Sequence, residues 1–274
     1  MPVISTNTAA NSAVRYLNIN SAQESSSLAK LSSGSKITSA SDDAAGLAIS
    51  TRISSDVTTL QQAATNASQA TSILQTADGG ASNISDILSR MKSLASESSS
   101  ATVTDSSRAY LNSEFTSLSS EVDSIATGTR YSGQSLLDGT STFASGASIM
   151  VGSSASDTIT VTLSSLKATT LGISALDIST QTGATSALTT LDTAIDKVST
   201  ARANIGAQES RFNFSASSIS TQSQNLQSAN SAITDVDIAS EQAKLSSAEV
   251  KTQAAVSAES AANQMPQYLL KLLG

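Results

Sequence analysis

Apolar residues recur at alternating steps of four and three over much of this chain. One run is Ile53, Val57, Leu60, Ala64, Ala67, Thr71 and Leu74. A second is Ile84, Ile87, Met91 and Leu94, and a third is Leu111, Phe115, Leu118, Val122 and Ile125. The longest takes Leu188, Leu191, Ile195 and Val198, passes Arg202, and reaches Ile205, Phe212, Ile219, Leu226 and Ile233. This spacing is the seam of long, nearly straight helices packed as in a coiled coil. The only prolines, Pro2 and Pro266, stand at opposite ends, so no pyrrolidine ring interrupts the stretch between them. A helix from about 187 to 233 is roughly 70 Å long at 1.5 Å per residue, so the pattern predicts a mainly α, rod-like architecture.

Two interruptions qualify that pattern. Gly79 and Gly80 follow Asp78 inside the first run, and each costs about 1 kcal/mol relative to Ala in a helix. They read equally as a helix end or as a continuous helix whose glycines admit a close neighbour. Ser98–Thr104 reads as a loop, with Asp105 as the cap of a helix beginning near Ser106. From about 129 to 175 the seam vanishes and Gly133, Gly139, Gly146, Gly152 and Gly172 punctuate the chain. There Ile149–Val151 and the alternating Thr158–Leu163 predict two short strands, with Gly152–Asp157 as a hairpin turn.

The ends are amphipathic but lean. Val14, Leu17, Leu28 and Leu31 have heptad-compatible spacing, with Ser21 and Glu24 in between. Towards the other end come Ile238, Leu245, Val256, Ala262 and Met265, then Leu269, Leu270, Leu272 and Leu273. A pair of helices built mostly of Ala and Ser buries too little surface to offset an ordering cost of about 1–2 kcal/mol per residue. Either identical neighbours cover these ends, which propagates an open polymer, or the terminal helices dock on the rod as a closed bundle. The pattern leaves both open.

Composition narrows the chemistry. The 274 residues include no His, Cys or Trp, and aromatic residues are 3% of the chain. A zinc finger, a thiolate site and a Ser-His-Asp triad are therefore excluded, and no enzymatic activity or cofactor is expected. The net charge of −7 without a Lys/Arg cluster argues against nucleic acid and anionic membrane surfaces as partners. No run approaches the ~18 apolar residues of a membrane span. Arg15 is the first basic residue, so a cleaved secretory signal is not expected. Ser and Thr make up about a third of the chain. Asp42-Asp43 and Asp235/Asp237 read as solvated turns that cap the following helices rather than as metal sites.

Several segments resemble the bacterial flagellins. Leu31-Ser32-Ser33-Gly34-Ser35-Lys36-Ile37, Ser41-Asp42-Asp43-Ala44-Ala45-Gly46-Leu47-Ala48-Ile49 and Arg130-Tyr131-Ser132-Gly133-Gln134-Ser135-Leu136-Leu137-Asp138-Gly139 carry the likeness on one side. Ile205-Gly206-Ala207-Gln208, Arg211-Phe212, Ile233-Thr234-Asp235-Val236-Asp237 and Ala261, Asn263, Gln264 carry it on the other. The resemblance implies a hairpin-shaped protomer: a long antiparallel coiled-coil helical rod with a small β-hairpin element, in a short form without extra outer domains. It implies inner-tube helices at 1–40 and 236–274 and an outer-tube rod at 41–235. The implied function is a structural subunit that self-assembles into the flagellar filament used for swimming, with a hook–filament junction protein as the alternative.

The same resemblance implies an extracellular location reached through the flagellar export apparatus, and contacts with hook-junction and cap proteins. It implies subunit packing in the inner tube through Val14, Leu17, Leu28, Leu31, Leu245, Val256, Met265, Leu269, Leu270, Leu272 and Leu273. It also implies that the host Toll-like receptor 5 reads Arg90, Leu94 and Glu114, although Ser93 stands where recognised members usually carry an acidic residue. On the residues alone, Leu94 reads as a seam residue and Arg90 with Glu114 as a surface pair.

Overall fold

The computed structural model describes residues 7–273, without the side chains of Pro266, Gln267 and 269–273. Seven helices and four short strands follow in order. They are α1 (Thr8–Ser33), α2 (Ala44–Ser98), α3 (Asp105–Gly128), β1 (Arg130–Tyr131), β2 (Gln134–Ser135), α4 (Thr142–Ser145), β3 (Ala147–Met150), β4 (Thr158–Val161), α5 (Ala168–Leu171), α6 (Gln181–Thr234) and α7 (Ile238–Leu273). The chain divides into two compact units: Met1–Ser55 with Asn225–Gly274, and Asp56–Gln224.

In the second unit the seam is an alanine seam. Along α2 Leu60, Ala63, Ala67, Ala70, Leu74, Ala77, Ala81, Ile84, Leu88, Met91 and Ala95 are fully covered in an unbroken three-four alternation, with Leu94 and Ser98 covered as well near the end of the helix. Along α6 they are Ala184, Ala187, Leu191, Ala194, Val198, Ala201, Ile205, Phe212 and Ile219. The sequence pattern put Ala64, Thr71, Ile87, Leu188, Ile195 and Arg202 in these seams, but all six are half-buried at the edges. The physical reason is size. Methyl side chains let two helix backbones approach closely, and the bulkier neighbours then close the sides. Leu226 and Ile233 are likewise only half-buried.

Polar links fix α6 against this frame. The Arg202 guanidinium donates to both carboxylate oxygens of Asp78, at 2.9 and 3.2 Å, and that hydrogen bonding raises its pKa further. Lys92 pairs with Asp192. The amide of Gln208 donates to the Thr162 carbonyl at 3.0 Å while its oxygen accepts from the Thr162 N–H at 3.0 Å. That bidentate clamp occupies the backbone just beyond the β3–β4 hairpin, whose antiparallel register pairs Ile149 with Ile159.

The structure resolves the glycine question in favour of a continuous helix. A Cβ on Gly80 would lie 2.9 Å from Leu137 Cδ1 and closer still to the Thr129 side chain, whereas one on Gly79 would meet nothing within 4 Å. Gly80 therefore admits the end of α3 and the β1–β2 region against α2. The cap of α3 is Thr104, whose hydroxyl accepts from Ser107 N–H at 3.3 Å, and Asp105 is the first helical residue instead. The loop before it is held by Arg108, only 6% exposed. Its guanidinium donates to the carbonyls of Ser98 and Ser100, at 2.8 Å each, and to Asp105 at 2.9 Å.

Candidate assembly surface

The first unit is built on α1 and α7, which pack together. Asn7 caps α1 by accepting from Ala10 N–H at 3.1 Å, and its amide donates to the Ala262 carbonyl at 2.8 Å. At the other end of α1, Gly34 adopts the left-handed conformation that ends the helix (φ 70°). Lys36 N–H then donates to the Thr234 carbonyl at 2.6 Å, and Val236 N–H to the Gly34 carbonyl at 3.1 Å. Asp237 caps α7 through Ala239 and Ser240 N–H, at 3.0 and 3.2 Å. Asp43 caps α2 through Gly46 N–H at 2.8 Å, and Asp42 accepts from Thr38 and Ser39. These acidic residues act as helix and turn caps.

Asn7 meets Ala262 while Ser27 meets Glu241, so α1 and α7 run antiparallel. The residues facing inward on α1 are Ala10, Ala13, Leu17, Asn20, Glu24, Ser27 and Leu31. Those on α7 are Glu241, Leu245, Ala248, Thr252, Ala255, Glu259 and Ala262. This three-four seam is small and polar. The Ser27 hydroxyl donates to Glu241 Oε1 at 2.7 Å, Lys244 donates to Oε2 at 2.8 Å, and Thr252 donates to Glu24 at 3.4 Å. The Lys244 hydrogen bond, and then that of Ser27, hold the Glu241 carboxyl below its ordinary pKa.

The large apolar residues of the same helices point away from that seam. Val14 is 37% exposed, Leu28 58%, Val256 51% and Met265 59%. Spacing had placed Val14 and Leu28 in the same row as Leu17 and Leu31. The structure keeps Leu17 and Leu31 half-buried in the seam and turns Val14 and Leu28 outward, with Ser21 exposed as well. Leu245 is buried against its own chain. The side chains of Leu269, Leu270, Leu272 and Leu273 lie outside the described residues. Sequence reading passed over Tyr16, Ile19, Val250 and Tyr268, which are also exposed. Eleven of the fourteen exposed large apolar side chains described belong to this unit, the others being Tyr110, Met150 and Phe214. Such a concentration marks a surface made for a partner.

In the second unit, Arg90 donates to Glu114 Oε1 through Nε at 3.0 Å and Nη2 at 2.6 Å, and both side chains are about half exposed. Leu94 is 1% exposed. Arg90 and Glu114 thus form one surface feature, while the Leu94 side chain is sealed beneath it.

The family comparisons agree at both ends of the chain. Residues 4–142 match the bacterial flagellin N-terminal helical region, and 188–273 match the bacterial flagellin C-terminal helical region. The chain belongs to the bacterial flagellin family. It is 36% identical over 273 residues to a flagellin of Halalkalibacterium halodurans, covering 99% of each chain. It is 35% identical over 283 residues to a flagellin of Listeria monocytogenes, covering 98% of this chain and 99% of that one. A crystal structure of Bacillus cereus flagellin superposes with a TM-score of 0.51 at 30% identity, over 61% of this chain and 94% of that one. Only residues 143–187 separate the two family matches, so this is a flagellin of the short form without extra outer domains. As a flagellin it is a structural subunit of the bacterial flagellar filament and not an enzyme, and its relatives do not favour the hook–filament junction alternative.

Proposed function

We propose that residues 1–40 and 236–274 line an inner tube of the filament and that 41–235 form an outer tube. One observation carries this reading: the α1–α7 pair builds its own seam mostly from Ala, Ser, Asn, Thr and Glu, with Leu17, Leu31 and Leu245, and turns Val14, Leu28, Val256 and Met265 outward. Burying a large apolar side chain contributes about 1.5–3 kcal/mol, so the lateral packing of identical copies recovers what the single chain leaves in water. Leu17, Leu31 and Leu245 support the pair from within, and 269–273 extend the packing at its end. Removing residues 267–274 should abolish seeded elongation while leaving far-UV circular dichroism largely intact. Normal filaments from that truncation would refute the assignment.

The subunit leaves the cell through the flagellar export apparatus and adds to an extracellular filament between hook-junction and cap proteins. A chain without Cys and with two Pro suits threading, because it forms no disulfide and has few slow prolyl bonds. Host Toll-like receptor 5 engages the surface of Arg90, Leu94 and Glu114, through the exposed Arg90–Glu114 pair above the buried Leu94 side chain. A receptor reporter assay in which Arg90→Ala filaments signal as strongly as wild type would refute that contact.

A further inference from the structure

The two borders of the α1–α7 seam differ in charge. At seven-residue steps along α7, Lys244 and Lys251 flank the seam on one side, and Gln242, Glu249 and Val256 flank it on the other. Along α1, Tyr16, Gln23 and Lys30 stand on one border and Val14, Ser21 and Leu28 on the opposite one. The antiparallel pairing brings like borders together: Gln23 shares a groove of about 350 Å³ with Lys244 and Lys251. One border therefore carries Lys244 and Lys251 along that groove, with the half-buried Lys30 one heptad beyond Gln23 on α1. Its nearest carboxylate, Glu241, is already held by Lys244 and Ser27. The other border carries Glu249 among the exposed Val14, Leu28 and Val256. Neither Lys30, Lys251 nor Glu249 forms an ion pair among the described residues.

We infer that the Glu249 border of one copy packs on the lysine border of the next. The inference rests on the inner-tube reading and supplies its polarity. Opposite borders with complementary charge make a heterologous contact, in which each copy offers one face and accepts the other. Such a contact continues open-ended where a self-complementary patch would close into a dimer. The apolar residues around Glu249 supply buried area. The charges reject the inverted arrangement, in which lysine border meets lysine border.

The test is seeded elongation of purified monomer at low salt, with Glu249→Lys and with Lys251→Glu. Both positions are exposed and lie outside the α1–α7 seam, so circular dichroism of the monomers should match wild type. Each variant alone sets like charges against each other at positions 249 and 251, and its critical concentration should rise about tenfold. An equimolar mixture should elongate close to wild type, because each variant presents the border the other lacks. Added salt should shrink the defect of each variant. Either variant growing alone at the wild-type concentration, or a mixture no better than its components, would overturn the contact. A wild-type chain that failed to elongate on its seeds would instead overturn the inner-tube reading beneath it.

Discussion

Gly79 and Gly80 provide an internally controlled test of how α2 is packed. Both lie inside the same continuous helix, so replacing either with Ala gains about 1 kcal/mol of helix propensity. Their surroundings differ. A Cβ at position 79 meets nothing within 4 Å, so Gly79→Ala should stabilise by about 0.5–1 kcal/mol. At position 80 the new methyl would press on Leu137 Cδ1 at 2.9 Å and on the Thr129 side chain. Leu137 is 1% exposed and packed on all sides by its own chain. The Thr129 hydroxyl donates to the Ile125 carbonyl at 2.8 Å and cannot swing away without losing that bond. Overpacking of this kind costs about 1–3 kcal/mol, and the lost hydrogen bond about 1 kcal/mol. The balance for Gly80→Ala is a net destabilisation of about 1–3 kcal/mol. Thermal unfolding of dissociated monomer, followed by circular dichroism, reads both. At about 2–4 °C per kcal/mol for a domain of this size, Tm should rise by a few degrees for Gly79→Ala and fall by several for Gly80→Ala. A Gly80→Ala variant that melted as high as Gly79→Ala would refute the close approach at this position.

Three other outcomes test separate parts of the structure. Ala77→Leu should destabilise by about 1–3 kcal/mol by forcing the α2 seam apart, whereas Ala64→Leu at the edge should change stability by about 0.5 kcal/mol or less; equal melting temperatures would contradict the alanine seam. Arg108→Met leaves the Ser98 carbonyl without its donor and the Ser100 carbonyl with only the Val103 N–H at 3.3 Å, and should cost about 2–4 kcal/mol, with the 99–104 loop becoming a new protease cleavage site. The folded-state pKa of Glu241 lies below its ordinary 4.5, so its contribution is fully present above that value and is lost as pH falls through the lower folded-state value. Acidification should therefore loosen α1 from α7 in the filament, and Glu241→Gln should flatten that pH dependence in hydrogen exchange of the filament, after correction for the intrinsic rates.

The long helices were legible because Leu, Ile, Val and Phe recur at seam spacing and no proline intervenes. Which row forms the buried seam was less legible. A reading weighted by bulk follows Leu188 and Ile195, yet the helices meet on Ala187 and Ala194, since what decides is how closely two backbones approach. In α1 the difficulty is deeper. Val14, Leu17, Leu28 and Leu31 share a heptad-compatible spacing, but two neighbouring rows of the helix serve different partners. One faces α7 of the same chain through Ser27 and Glu24, and the other is left for another molecule. Nothing in the spacing says which row is which. The charge difference between borders became visible only once the pairing of α1 with α7 had set Gln23 beside Lys244 and Lys251. The Gln208 clamp on Thr162 likewise joins positions far apart in sequence whose meeting no local pattern announces.

The most direct test is amide hydrogen exchange measured on the same protein as dissociated monomer and as filament. Residues 8–33 and 238–265 should exchange rapidly in the monomer, where α2 and α6 along the alanine seam are already slow, and should become strongly protected on polymerisation. Slow exchange in both terminal helices of the monomer, unchanged in the filament, would contradict the claim that copies of this chain complete a core the single chain leaves open.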